Sequence, residues 1–211
     1  MSPRDHVRTL IRGLYGLADA DATGGDPESL AAALLEGGCR LIQLRCKGWS
    51  PDDTLLVARA VRARCASVRA TFIVNDHPEL AVAADADGVH VGQLDAPTDQ
   101  VRGILGPERI LGRSTHDIEQ LETALTDADY VAFGPVFQTE NVSRPKGTRG
   151  IDALAAAAQT VAGRAPLVAI GGITSARLPG IVEAGADSWA VIGAIASASD
   201  RALATRALLG P

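Results

Sequence analysis

The chain has 211 residues, a formal charge of −5 and a composition that is 46% hydrophobic, 21% charged and only 3% aromatic. That composition buries a core of Ala, Val, Leu and Ile and excludes disorder, and its acidic balance argues against nucleic acid or an anionic membrane surface, both of which select a basic face. No apolar run approaches the ~20 residues of a membrane span, and Arg8 and Arg12 break the first apolar stretch before it could serve as a signal peptide.

Short apolar runs alternate with longer amphipathic stretches along the chain. Strands are predicted over Gly13–Ala18, Leu41–Arg45, Thr71–Asn75, Gly88–Val91, Ile110–Arg113, Tyr130–Phe133, Leu167–Ile170 and Ser188–Ile192. Helices are predicted between them, over Pro27–Glu36, Pro51–Ala66, Glu79–Ala84, Thr98–Leu105, Ile118–Thr126, Ile151–Ala162, Ala176–Ala184 and Asp200–Leu209. Asp26-Pro27 and Ser50-Pro51 each put a capping side chain before a proline suited to the first helical turn. Strands apolar on both faces and alternating with helices imply a parallel sheet covered on both sides. Eight such units in a chain of this length give an α/β, single-domain (β/α)8 TIM barrel over residues 1–211. A doubly wound sheet is disfavoured because no G-x-G-x-x-G follows the first strand. The odd set of Cys39, Cys46 and Cys65, with no metal-ligand spacing, reads as buried reduced thiols of a cytoplasmic protein.

In such a barrel the chemistry collects at the C-terminal ends of the strands. The second strand ends Gln43-Leu44-Arg45-Cys46-Lys47, with Gln43, Arg45 and Lys47 on one face. Two neighbouring cations there call for an anion such as a phosphate or diphosphate. The third strand ends Asn75-Asp76, and Asp95 follows the fourth. The two carboxylates form a candidate Mg²⁺ pair, or else they cap the helices that start beyond Pro78 and Pro97. His90 lies inside its strand and reads as a satisfied core histidine. Ser114 ends the fifth strand and can donate to phosphate or cap the next helix. The sixth strand runs into Gly134-Pro135-Val136-Phe137 and then an aperiodic polar loop to Arg149, which carries Arg144, Lys146 and Arg149 and reads as a lid. Gly171-Gly172 and Gly193 close the seventh and eighth strands, where barrels commonly bind phosphate.

Taken in order, Gln43–Lys47, Asn75-Asp76, Gly88–Asp95, Gly112–His116, Gly134–Thr139 and Val168–Ile173 resemble the thiamine phosphate synthase family over essentially the whole chain. The resemblance implies that hydroxymethylpyrimidine diphosphate and hydroxyethylthiazole phosphate are condensed to thiamine phosphate and diphosphate through a pyrimidine carbocation. It implies a diphosphate site at Gln43, Leu44, Arg45, Cys46, Lys47, Asn75 and Ser114, with Mg²⁺ on Asp76 and Asp95. It also implies a thiazole phosphate site at Thr139, Asn141, Gly172, Ile192 and Gly193, with catalytic roles for Arg45, Lys47 and Ser114. A homo-oligomer is compatible with these expectations, and the partners expected are small molecules.

The sequence departs from the family at two places. The family's Thr-x-Thr/Ser-Lys reads Thr139-Glu140-Asn141-Val142, so Val142 stands where the family has a lysine, and its Val-Ser reads Ile192-Gly193. The neighbouring thiazole tautomerase, an isomerase that would use His116, and a non-catalytic binding relic are the rival readings. The fifth to seventh strands hold no lysine, which argues against a Schiff-base aldolase. Lys146 is the candidate replacement for the lost cation, because a flexible ammonium reaches further than a planar guanidinium. Lys146→Ala should therefore depress thiamine phosphate turnover, and Val142→Lys in that variant should restore it. A silent Lys146→Ala together with a strong gain from Val142→Lys would show that the parental chain has no compensating cation.

Overall fold

A computed structural model describes residues 3–139 and 147–210, with side chains from residue 6 onward. Eight parallel strands close in chain order: β1 (Gly13–Asp19), β2 (Leu41–Arg45), β3 (Thr71–Asn75), β4 (Gly88–Val91), β5 (Ile110–Thr115), β6 (Tyr130–Phe133), β7 (Leu167–Ile170) and β8 (Ser188–Val191). Strand β8 returns to pair with β1, so no sheet edge is left open. Around them lie α1 (Pro3–Leu10), α2 (Pro27–Glu36), α3 (Pro51–Ser67), α4 (Pro78–Ala83), α5 (Thr98–Leu105), α6 (Ile118–Ala124), α7 (Ile151–Val161), α8 (Leu178–Glu183), α9 (Gly193–Ala196) and α10 (Arg201–Arg206). Among the described residues no helix is long and apolar enough to cross a membrane.

Period-two alternation divides the strand side chains between two cores. Leu14, Ile42, Leu44, Phe72, Val74, Val89, Leu111, Val131 and Trp189 point outward and pack under the helices. Tyr15, Leu17, Leu41, Ile73, Ile110, Tyr130, Ala132, Val168 and Ala190 fill the barrel interior. A one-residue slip in register would exchange the two sets, which is why both constrain the pairing. The predicted caps are present: Asp26 Oδ1 accepts from the Ser29 N–H at 3.0 Å, and Ser50 Oγ from the Asp53 N–H at 3.1 Å.

The differences from the sequence reading have local causes. Strand β5 extends to Thr115, which pairs with Phe133, so the polar Ser114-Thr115 belongs to the sheet rather than to a helix cap. Strand β8 stops at Val191, because Ile192 opens the short helix α9. Helix α1 was not predicted; Val7, Leu10 and Ile11 of that segment close the N-terminal end of the barrel against the interior core.

A recurrent aspartate also fixes the start of alternate strands. Asp87, Asp129 and Asp187 each precede an even-numbered strand. The backbone N–H of each donates to the carbonyl of Phe72, Leu111 or Leu167, at 2.8–2.9 Å. The carboxylate of each accepts from the N–H of that same residue, at 2.7–2.8 Å. Two bonds to one residue tie β4 to β3, β6 to β5 and β8 to β7.

Two glycines test the close packing. A Cβ on Gly88 would stand 2.2 Å from the Ile110 carbonyl oxygen, whereas one on Gly103, inside α5, meets nothing within 4 Å. Gly88→Ala should cost about 1–3 kcal/mol in chemical denaturation, and Gly103→Ala should gain about 0.5–1 kcal/mol. Equal stabilities for the two variants would contradict this packing.

Candidate functional site

One cavity of about 920 Å³ opens at the C-terminal ends of the strands. It gathers Gln43, Arg45 and Lys47 from β2 and beyond, Asn75 and Asp76 from β3, Asp95 after β4, and Ser114 from β5. Opposite lie Thr139, Gly172, Ile192 and Gly193. The structure thus brings together most of the residues singled out in the sequence. Leu44 and Cys46 are corrections: their side chains face the outer core, because alternation on β2 turns them away from Gln43 and Arg45. Asn141 and Lys146 lie outside the described residues. Arg149, the one described cation of that loop, does not line the cavity, and its N–H donates to the Pro135 carbonyl at 2.8 Å.

The capping alternative for the two carboxylates is set aside by the geometry. His77 and Pro97 occupy the N-cap positions of α4 and α5, and neither helix has a side-chain cap. Asp76 adopts a left-handed backbone, φ 66°, rare for a non-glycine residue, and its N–H donates to the His90 carbonyl at 2.8 Å. Its carboxylate faces Asp95 and lies 3.7 Å from Lys47 Nζ. Burial and the neighbouring Asp95 push its pKa up to about 6, with Lys47 opposing. Asp95 Oδ2 is held by the Gly92 N–H at 2.6 Å.

Arg45 is not the bare cation that the sequence suggests. It is ion-paired with the buried Asp19, and Asp21 lies 3.8 Å from the same guanidinium nitrogen. Asp19 is in turn fixed by the Ala22 N–H at 2.8 Å. Repulsion between Arg45 and Lys47 is therefore already offset within the protein. Counting Arg45 and Lys47 against Asp19, Asp21, Asp76 and Asp95 gives two cations against four carboxylates, a formal charge of −2. A polyphosphate entering here needs further positive charge. Asp76, with its carboxyl held above the ordinary range, and the adjacent Asp95 form a hard oxygen pair of the kind that suits Mg²⁺ completed by water.

At the other side, Gly171 and Gly172 take φ of 105° and 62°, and a Cβ on Gly172 would stand 2.4 Å from the Gln138 carbonyl oxygen. Only glycine suits that turn. Arg177, not singled out in the sequence, lies with its guanidinium carbon 4.5 Å from the Phe137 ring centre and donates to the Gly172 carbonyl at 2.5 Å. It lines the cavity and adds a cation to this rim. His116 also lines the cavity, with Nδ1 donating to the Gly134 carbonyl at 2.7 Å.

His90 is satisfied on both nitrogens, by Tyr130 Oη at 2.9 Å and Ser114 Oγ at 2.8 Å, yet it reaches the cavity. Burial lowers its pKa to about 4, with Asp95 opposing and Arg113 adding to the depression.

Residues 14–195 match the family model described as thiamine monophosphate synthase. A thiamine-phosphate synthase of Laribacter hongkongensis is 38% identical over 92% of this chain and 92% of its own length. One from Synechococcus sp. strain CC9605 is 43% identical over 84% of this chain, which spans about half of that relative's length. Among solved structures, a thiamine phosphate pyrophosphorylase from Pyrococcus furiosus superposes with a TM-score of 0.86, at 31% identity and 95% coverage of both chains.

The neutral His90 sets a pH-dependent contribution to stability. Its folded pKa lies below the unfolded value of ~6.5, so the unfolded chain binds the extra proton as pH falls from 6.5 towards 4. The contribution is fully present above pH 6.5 and declines below it, by about 3 kcal/mol at most. The stability gap between the parental chain and His90→Gln, read by denaturation, should therefore shrink over that interval. A constant gap would mean that His90 titrates normally in the folded state.

Proposed function

Because the chain belongs to the thiamine monophosphate synthase family, we propose that it condenses hydroxymethylpyrimidine diphosphate with hydroxyethylthiazole phosphate to give thiamine phosphate and diphosphate. The observation that carries this reading is the division of one cavity between a cation–carboxylate cluster and a glycine rim. Such a site suits one substrate with a polyphosphate and another with a single phosphate. The carboxylate pair also favours the synthase over the tautomerase, an isomerisation that has no diphosphate to neutralise.

In this reading Gln43 and Asn75 hold the pyrimidine, while Arg45, Lys47 and Ser114 donate to its diphosphate. Asp76 and Asp95 hold Mg²⁺, which when bound supplies the positive charge that the cluster lacks. The methylene C–O bond breaks, diphosphate leaves with the bonding pair, and a pyrimidine carbocation remains. Lys47 and Arg45 stabilise the departing charge from fixed positions, Arg45 being held by Asp19. The thiazole nitrogen then donates its lone pair to the methylene carbon and forms the new C–N bond. Thr139, the Gly172 and Gly193 backbone and Arg177 position the thiazole phosphate for that attack. Three buried thiols with no disulfide among the described residues support action in the cytoplasm.

Single-turnover formation of thiamine phosphate, read as thiochrome fluorescence, tests the assignment. Asp76→Ala and Asp95→Ala should each lose ~10²–10³ in rate, and EDTA should abolish parental turnover until Mg²⁺ is restored. Near-parental turnover of both variants in EDTA would overturn the metal assignment.

A further inference from the structure

Five side chains from five strands form a single file of hydrogen bonds across the barrel interior. Gln43 Nε2 lies 2.8 Å from Tyr15 Oη, which lies 2.8 Å from Tyr130 Oη. Tyr130 Oη is 2.9 Å from His90 Nδ1, and His90 Nε2 is 2.8 Å from Ser114 Oγ. Both tyrosines are fully enclosed, and Gln43 and His90 nearly so. Only the two ends, Gln43 and Ser114, address substrate in the reading above. The file exists because Gly112, paired with Tyr130 on one side and His90 on the other, has no side chain. A Cβ there would stand 2.1 Å from Tyr130 Cζ, so its absence lets the phenol ring cross β5 and stack on His90 at 5.4 Å between ring centres.

Counting protons gives the file a direction. The Gln43 amide N–H can only donate, so Tyr15 Oη accepts from it and turns its own proton to Tyr130. Tyr130 then donates to His90 Nδ1, the neutral imidazole carries its proton on Nε2, and Nε2 donates to Ser114 Oγ. The Ser114 proton is left to point elsewhere, and the cavity is what lies beyond. With Gln43 turned over, every bond would reverse: Ser114 would donate to His90 and show the cavity only lone pairs. The two ends are thus coupled. Either Gln43 presents its carbonyl and Ser114 its hydroxyl proton, or both are inverted. A site for an anionic leaving group selects the first state, because lone pairs on Ser114 would oppose the negative charge.

We propose that Tyr15, Tyr130 and His90 are positioning residues that fix Ser114 as a hydrogen-bond donor and Gln43 as an acceptor towards the diphosphate substrate. This rests on the synthase reading for its consequence in turnover, but not for the direction of the file. A single tautomer follows from the file itself, since a Tyr130 hydroxyl that donates to Nδ1 leaves the ring proton of the neutral imidazole on Nε2.

The test has two arms, both on the full chain. Nitrogen chemical shifts of His90 in ¹⁵N-labelled parental protein, without substrate, should show Nε2 protonated and Nδ1 bare. A proton on Nδ1 would overturn the direction, and this arm holds even if the chain makes no thiamine phosphate. In single turnover, Tyr130→Phe should reduce the rate ~10-fold or more while changing apparent affinity for the diphosphate substrate much less. The same substitution in a Ser114→Ala background should cost almost nothing further, since the group it positions is gone. An undiminished second loss would show Tyr130 to be merely structural and overturn the proposal. If Tyr130→Phe does not fold, Tyr15→Phe breaks the same file one link away and is read in the same way.

Discussion

A polar side chain buried between the strands of a closed parallel barrel finds its partner among its neighbours, because no strand edge is open to it and burial removes most of its contact with water. The rest of the site follows from that constraint. In an interior otherwise filled by Leu, Ile, Val and Ala, the polar tips of Tyr15, Tyr130, His90 and Gln43 satisfy one another in sequence and end at Ser114. The same requirement fixes Asp19 beneath Arg45 and sets Asp76 opposite Asp95 and Lys47, so that the cavity rim is a web of mutually held charges.

That web changes the meaning of the cationic strand end. Arg45 and Lys47 suggest an electropositive anion site when read along the chain, yet each is matched by a carboxylate that only the fold brings near. Preorganisation is gained and net attraction is lost: the cations are held where charge would develop, but the cluster has no surplus of its own. In the proposed reaction a divalent ion arriving with the polyphosphate would supply the charge that the cluster lacks.

The barrel was legible because strand and helix signals repeat with two distinct periods, and the predicted Tyr130–Phe133 and Leu167–Ile170 strands carry the observed boundaries. Helix α1 escaped because its apolar residues are few and broken by Arg8. Leu44 and Cys46 show the limit of a contiguous motif: alternation had already placed them on the other face from Gln43 and Arg45. Asp19 and Arg177 carry no local signal, since each matters through a neighbour distant in sequence. Tyr15 and Tyr130, the two tyrosines of the chain, did carry one: a hydroxyl-tipped ring on an otherwise apolar inward position needs a polar partner. The Ala-Asp pairs before β4, β6 and β8, at 86–87, 128–129 and 186–187, were an equally visible repeat.

Those aspartates join strands of the barrel in pairs. Each closes two bonds across one strand pair, and the intervening pairs β2–β3, β4–β5 and β6–β7 have no such clamp at their bases. Between β1 and β2 the clamp is replaced by the Cys39 thiol, which donates to the Leu14 carbonyl at 3.3 Å. The bases between these pairs are tied as well: the Ile110 N–H and the Arg109 guanidinium reach the Asp87 and Ala86 carbonyls from β5 to β4, and Gly13 donates to the Asp187 carbonyl while its own carbonyl accepts from Ser188 Oγ between β1 and β8. The cavity draws Gln43 and Arg45 from the first strand pair, Asp76 and His90 from the second, Ser114 and Ala132 from the third, and Gly172 and Gly193 from the last. The clamps set where each pair of strands begins, and the site residues lie at the opposite ends of the same strands, so each clamp reaches the site only through the rigidity of its strand pair.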